Sequence, residues 1–123
     1  MKKCTFYKAM RDKNGKIYAE KTNGYCETFT DSHGNNIEIC FEKIINSTYG
    51  TYWWNATVKT TGTYIIGEAT RKRLIERIEN DFLNRIYDAI NSDYYKPIQQ
   101  MIAKAYAEDE SECDQNDYQR TAY

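Results

Sequence analysis

Four arginines and a set of flat rings are the residues with the most chemistry to offer. Arg71, Arg73, Arg77 and Arg85 lie in one short stretch, and a guanidinium is a planar fork that can hold two phosphate oxygens at once. Trp53, Trp54, Phe82 and the twelve tyrosines present faces on which a base can stack. Asn80, Asn84 and Asn91 carry amides that can bond base edges or ribose hydroxyls. Together these residue types describe a pocket for a small nucleotide. Each also has a plainer reading. Phe82 falls in the middle of an apolar helical stripe and fits a core position. Arg77 and Arg85 fit as ion-pair partners of Asp81. Trp53 and Trp54 are successive, so a strand sends them to opposite faces and only one can enter a core.

Catalytic templates are missing. There is no Gly-x-x-x-x-Gly-Lys phosphate loop, no Gly-x-Gly-x-x-Gly dinucleotide turn and no Gly-x-Ser-x-Gly nucleophile elbow. The single histidine, His33, sits in a cluster of turn residues, Asp31 to Asn36, and reads as a loop residue rather than a base. The carboxylates of the basic stretch have opposite charges one helical turn away, which makes them surface pairs rather than an acid–base couple. The expectation is therefore a binding protein with no catalytic residue, not an enzyme. The four cysteines, Cys4, Cys26, Cys40 and Cys113, form no Cys-x-x-Cys pair, so neither a metal site nor a cofactor is expected. No apolar run long enough for a signal peptide follows Met1, and none approaches a membrane span. That predicts a cytoplasmic chain with no membrane partner, in which the cysteines read as reduced thiols.

The arginines belong to the longest periodic run in the chain, Thr70 to Asp93. Ile75, Ile78, Phe82, Ile86 and Ala89 recur at steps of three and four, flanked by Leu74, Leu83, Tyr87 and Ile90, which predicts an amphipathic helix over 70–93. Thr70 fits as its N-cap. Cations are disfavoured at the positive end of a helix, so Arg71, Lys72 and Arg73 in the first turn read either as an anion site or as a solvated basic patch. Lys72 with Glu76, Arg77 with Asp81 and Asp81 with Arg85 are opposite-charge pairs one turn apart.

Ahead of this helix, residues 4–67 alternate in the manner of strands and are punctuated by turns. Strands are expected over 4–10, 16–21, 25–30, 37–45, 51–59 and 63–66, with Asn14-Gly15 and Asn23-Gly24 as hairpin turns. Such short connections make antiparallel neighbours, a meander of about six strands. Pro97, the only proline, fits the first turn of a second helix. Ile98, Met101, Ile102, Ala105 and Tyr106 supply the apolar stripe of that helix, over 97–107. One sheet covered by two helices is an α+β domain over residues 1–107. Residues 108–123 read as an acidic, flexible tail.

Net charge is −1, and no region is basic enough for a binder of long nucleic acid. Residues 97–123 hold six acidic against two basic side chains. The apolar face of the helices is wider than one small sheet covers, which predicts a homo-oligomer, a dimer or larger.

The order of short strands, a long helix that begins basic and a shorter helix, together with the segment Thr60 to Ile78, TTGTYIIGEATRKRLIERI, resembles the phage-encoded Thoeris anti-defence family of the first type. The resemblance covers residues 4 to about 107. It implies a protein that sequesters cyclic ADP-ribose isomers in the infected bacterial cytoplasm, so that Thoeris immunity is never switched on. It also implies an N-terminal antiparallel sheet with C-terminal helices that assembles into dimers or larger oligomers, with the ligand where protomers meet. On that reading Phe82 is the stacking ring, and Arg71, Arg73, Arg85, Asn91 and Trp54 are its ligand-binding neighbours. The alternative function is a phage inhibitor that binds a host defence protein directly, in the manner of an anti-CRISPR, with the acidic tail imitating nucleic-acid phosphates.

Overall fold

The computed structural model describes the backbone of residues 1–46 and 48–121, and the side chains of these apart from 46 and 110–121. Five strands form one antiparallel sheet in the order β1-β2-β3-β4-β5. They are β1 (Lys2–Arg11), β2 (Ile17–Thr30), β3 (Asn36–Asn46), β4 (Thr51–Val58) and β5 (Tyr64–Glu68). A first helix in two segments follows, α1 (Arg71–Arg77) and α2 (Leu83–Ile90), joined by a π-helical turn over Ile78–Phe82. A 3-10 turn at Asp93–Tyr95 leads into α3 (Lys96–Thr121). The architecture is the expected α+β meander with two C-terminal helices.

There are five strands rather than six because Asn23-Gly24 is not a turn. Both residues lie inside β2, where Asn23 pairs with Thr5 and Gly24 with Cys4. Asn23 Oδ1 accepts from Thr5 Oγ1 at 3.0 Å. Glycine is needed at 24 for closeness, not for a turn: a Cβ there would stand 2.1 Å from the Phe41 carbonyl oxygen and 2.9 Å from the Phe6 ring. The Asn-Gly signal has two physical sources, a tight turn and a close approach, and the sequence does not separate them. Gly67 repeats the lesson. It lies within β5 rather than ending the sheet, and a Cβ on it would meet Trp53 Nε1 at 2.1 Å. Asn14-Gly15 does turn, with Asp12 Oδ1 accepting from the Asn14 and Lys16 amides at 2.9 Å each.

Strand β2 serves two partners in succession. Ile17 to Cys26 pair with β1, and Tyr25 to Thr30 pair with β3. The first hairpin is therefore free to fold back over the rest of the sheet. Lys8 of β1 skips β2 and reaches Glu42 of β3 at 3.0 Å. The Ala9 amide of β1 donates to the Gly62 carbonyl between β4 and β5 at 2.9 Å.

The sheet is thus covered on both faces. On one, Ile37, Ile39 and Phe41 of β3 and Ala56 and Val58 of β4 meet Leu74, Ile78, Leu83 and Ile86 of the first helix. On the other, Phe6, Cys40, Thr57, Thr61 and Ile102 are buried beneath the hairpin and α3. Tyr106 of α3 accepts from the Tyr7 amide at 3.2 Å, and the two rings meet edge to face at 5.0 Å.

Both helices differ from their expected ends. The first stops at Ile90, three residues early, where Asn91 Nδ2 donates to the Tyr87 carbonyl at 2.8 Å and closes the last turn. The second continues from Lys96 to Thr121, through the acidic stretch expected as a tail. That stretch lacks an apolar period, but it also lacks Gly and Pro, and Ala, Glu and Gln are good helix formers. Lys21 of β2 holds Asp109 at 2.8 Å. Residues 122–123 of the expected tail lie outside the described residues.

Candidate functional site

The first helix starts as the sequence indicates. Thr70 is extended at φ −129°, ψ 151°, and its Oγ1 accepts the Arg73 amide at 3.2 Å. Glu68, at the end of β5, then gathers two of the arginines: Arg77 Nη1 at 2.8 Å and Arg73 Nε at 3.9 Å. The hydrogen bond from Arg77 holds the Glu68 carboxyl below its ordinary range, against the opposing pull of burial and with help from Arg73. Arg71 and Lys72 are exposed and have no ion pair among the described residues; the expected Lys72–Glu76 pair does not form.

The π turn decides what the middle of the helix presents. Leu83 donates its amide to the Ile78 carbonyl, five residues back. In an uninterrupted α-helix position 83 would lie about 140° round from position 78. The wider turn brings Leu83 back over Ile78, so Leu74, Ile78, Leu83 and Ile86 make the buried line. The expected stripe of Ile75, Ile78, Phe82, Ile86 and Ala89 is corrected accordingly. Ala89 is exposed, while Ile75 and Phe82 are half-buried at the margin of the core. The ring of Phe82, not wholly claimed by the core, has the Arg85 guanidinium 5.5 Å from its centroid. Arg85 turns both Nε and Nη2 onto the Asp81 carbonyl oxygen, Nε at 3.1 Å, rather than onto the Asp81 carboxylate. That carboxylate instead faces Arg77 Nε at 3.8 Å.

No protein-family model, curated protein or solved structure matches this chain.

The remaining sequence-predicted residues fall elsewhere. Trp54 is half-buried on β4, 6.0 Å from Tyr25, with Lys43 Nζ 5.8 Å from its ring. Glu68 is its cross-strand partner, so Trp54 belongs to the Arg73 and Arg77 end of the helix. Trp53 points to the opposite face and is the more exposed of the pair, as alternation requires. Asn84 accepts from the Ser32 amide and hydroxyl at 2.9 Å, and so ties the β2–β3 turn to α2. Asn91 borders a separate cleft of about 530 Å³ with Tyr87, Gln99 and Tyr106. At about 1.5 Å of rise per residue, Arg71 stands roughly 20 Å from Arg85 and 30 Å from Asn91 along the helix. One protomer therefore brings together Phe82 with Arg85, and sets Trp54 across the sheet from the Glu68 that faces Arg73, but does not gather all six residues.

His33 lies in the Asp31–Asn35 turn. Burial would raise the Asp31 pKa. The Asn35 amide and side chain, the His33 amide and the nearby His33 charge outweigh that and hold it lowered. Asp31 is thus the organiser of a turn, with Oδ1 accepting from His33 and Asn35 at 2.9 Å each.

The expectation of reduced thiols holds for Cys40, which is free, and fails for Cys4 and Cys26; the side chain of Cys113 lies outside the described residues. Cys4 and Cys26 are disulfide-bonded, and Cys40 Sγ lies 3.3 Å from Cys26 Sγ. Their spacing in the chain carries no motif. Strand register is the signal, since Cys26 pairs with Cys40 directly and Cys4 lies two residues diagonally away on β1.

Proposed function

We propose that this chain binds a cyclic ADP-ribose-type signalling nucleotide and sequesters it without turnover, as a phage-encoded inhibitor of Thoeris immunity. The observation that carries the reading is the Phe82–Arg85 pair: a partly freed aromatic face beside a guanidinium, set there by the π turn. A base stacks on such a face, with a contribution of about 1–3 kcal/mol. Arginine forks add phosphate recognition that a lysine would not match.

Arg71 is too far along the helix to serve the same ligand in one copy. Two copies that pack their first helices antiparallel carry Arg71 and Arg73 of one toward Phe82 and Arg85 of the other. The half-buried Ile75 and the exposed Tyr87 supply apolar surface for that packing. Sequestration requires nanomolar affinity, about −12 kcal/mol, which a dry, arginine-lined junction can supply.

The test is a thermal-shift screen of ADP-ribose, its cyclic isomers and cyclic oligonucleotides. At a hundredfold excess over Kd a true ligand stabilises the fold by about 2.7 kcal/mol. Ligand released by heating should return unaltered; a hydrolysed product would refute sequestration. Truncation after Asp109 separates this reading from direct inhibition of a host protein through the acidic end of α3. A nucleotide-binding protein keeps its activity after that cut, and a phosphate mimic loses it.

A further inference from the structure

Three sulfurs meet on the second face of the sheet, one each from β1, β2 and β3. The Sγ atoms of Cys4, Cys26 and Cys40 all lie within 4.8 Å of one another, and no histidine or carboxylate joins the group among the described residues. We propose that, once the Cys4–Cys26 disulfide is reduced, these three thiols bind one thiophilic closed-shell cation, Cu(I) or Zn(II), as a trithiolate site.

The geometry needs little adjustment. A metal–sulfur distance of about 2.3 Å puts the sulfurs of a three-thiolate site roughly 4 Å apart. Cys40 is fully buried on a central strand and is the fixed corner. Cys4 and Cys26 are half-buried, and rotation of their side chains opens the bonded pair to that spacing. An all-sulfur donor set favours soft cations and disfavours magnesium or calcium, which take oxygen. Zn(II) would complete its shell with water at the open position, whereas Cu(I) is satisfied by three sulfurs.

An entry path is present. A cleft of about 540 Å³ opens onto Cys4, lined also by Lys3, Asn23 and Lys43. A trithiolate carries net charge −1 with Zn(II) and −2 with Cu(I), and the two lysines offset it. The balance is complete when a dithiol reductant is supplied. Two electrons and two protons pass to Cys4 and Cys26 as the reductant closes its own disulfide. The cation then displaces three thiol protons. The disulfide joins only β1 to β2; the metal would tie β1, β2 and β3 at one point.

The full chain, reduced with a phosphine and freed of oxygen, is titrated in separate arms with Zn(II), with Co(II) as the spectroscopic stand-in for zinc, and with Cu(I) against a chelator. One equivalent per chain in either metal arm, with a thiolate charge-transfer band for Co(II), is the expected result, and the tighter arm names the cation. Cys40→Ala and Cys4→Ala each weaken binding at least tenfold, whereas Cys113→Ala leaves it unchanged. Circular dichroism and closure of Cys4–Cys26 on oxidation verify that Cys40→Ala is folded. Binding that survives both Cys40→Ala and Cys4→Ala, equal binding by the oxidised chain, or no stoichiometric binding in any arm overturns the site. None of these outcomes bears on nucleotide binding at Phe82.

Discussion

The two faces of the sheet are buried by different means. The helix-covered face is a dry core in which every position is aliphatic or aromatic: Ile37, Ile39, Phe41, Ala56 and Val58 against Leu74, Ile78, Leu83 and Ile86. The hairpin-covered face mixes Phe6 and Ile102 with Cys40, Thr57 and Thr61, all buried. The side chain of β3 at position 41 points into the first and that at position 40 into the second. The comparison teaches that Phe82, the candidate stacking ring, lies at the margin of the dry face, displaced from it by a π turn. The clustered sulfurs lie inside the other face, where β2 changes partner.

Five substitutions test this comparison, in falling order of effect. Phe41→Ala should cost about 3–5 kcal/mol in urea unfolding, and Phe6→Ala a similar amount if the second face is a true core. A cost under about 1 kcal/mol at Phe6 would reduce the hairpin face to a loose cover. Leu83→Ala should cost about 2–5 kcal/mol and its neighbour Phe82→Ala clearly less, because the π turn gives Leu83 the core position. The reverse order would contradict that turn. Gly24→Ala should destabilise by about 1–3 kcal/mol through overpacking against the Phe41 carbonyl; a neutral result would mean that the hairpin does not press on β3 there.

The smallest effect concerns Tyr106. Its hydroxyl accepts the Tyr7 amide, so Tyr106→Phe should cost about 1 kcal/mol. The same face should be sensitive to alkali. Burial pushes the Cys40 thiol up from 9.0 to about 12, and the Tyr106 phenol up from 10.0 to about 12. Both are neutral when protonated, and the unfolded chain releases these protons first. Their contribution is therefore complete below pH 9 and is lost as pH rises toward 12. Urea midpoints should fall across that window, and less steeply in Cys40→Ala and Tyr106→Phe. A flat wild-type profile would place these groups in water.

Most of the fold was legible in the sequence, because alternation in 4–67 and helical spacing in 70–90 are one-dimensional traces of burial. The Thr70 cap was legible from residue type alone. What escaped depends on contacts between distant segments. Gly24 serves a close approach to Phe41 on the neighbouring strand, and looks identical to a turn glycine. The π turn leaves no local mark: Phe82 and Leu83 are both apolar, and only the sheet beneath decides which is buried. The sulfur cluster is a product of strand register. The six candidate ligand residues were chosen by chemistry, which identifies groups but not distances, and a single helix spreads Arg71 and Asn91 apart.

The most direct test of the central claim is calorimetric titration of cyclic ADP-ribose isomers into the wild-type chain and into Phe82→Ala, with urea unfolding run on both. The account predicts nanomolar binding of at least one isomer by the wild type, and a loss of about tenfold or more in a Phe82→Ala variant that remains folded. No heat of binding with any isomer, or equal affinity in the two chains, would contradict it.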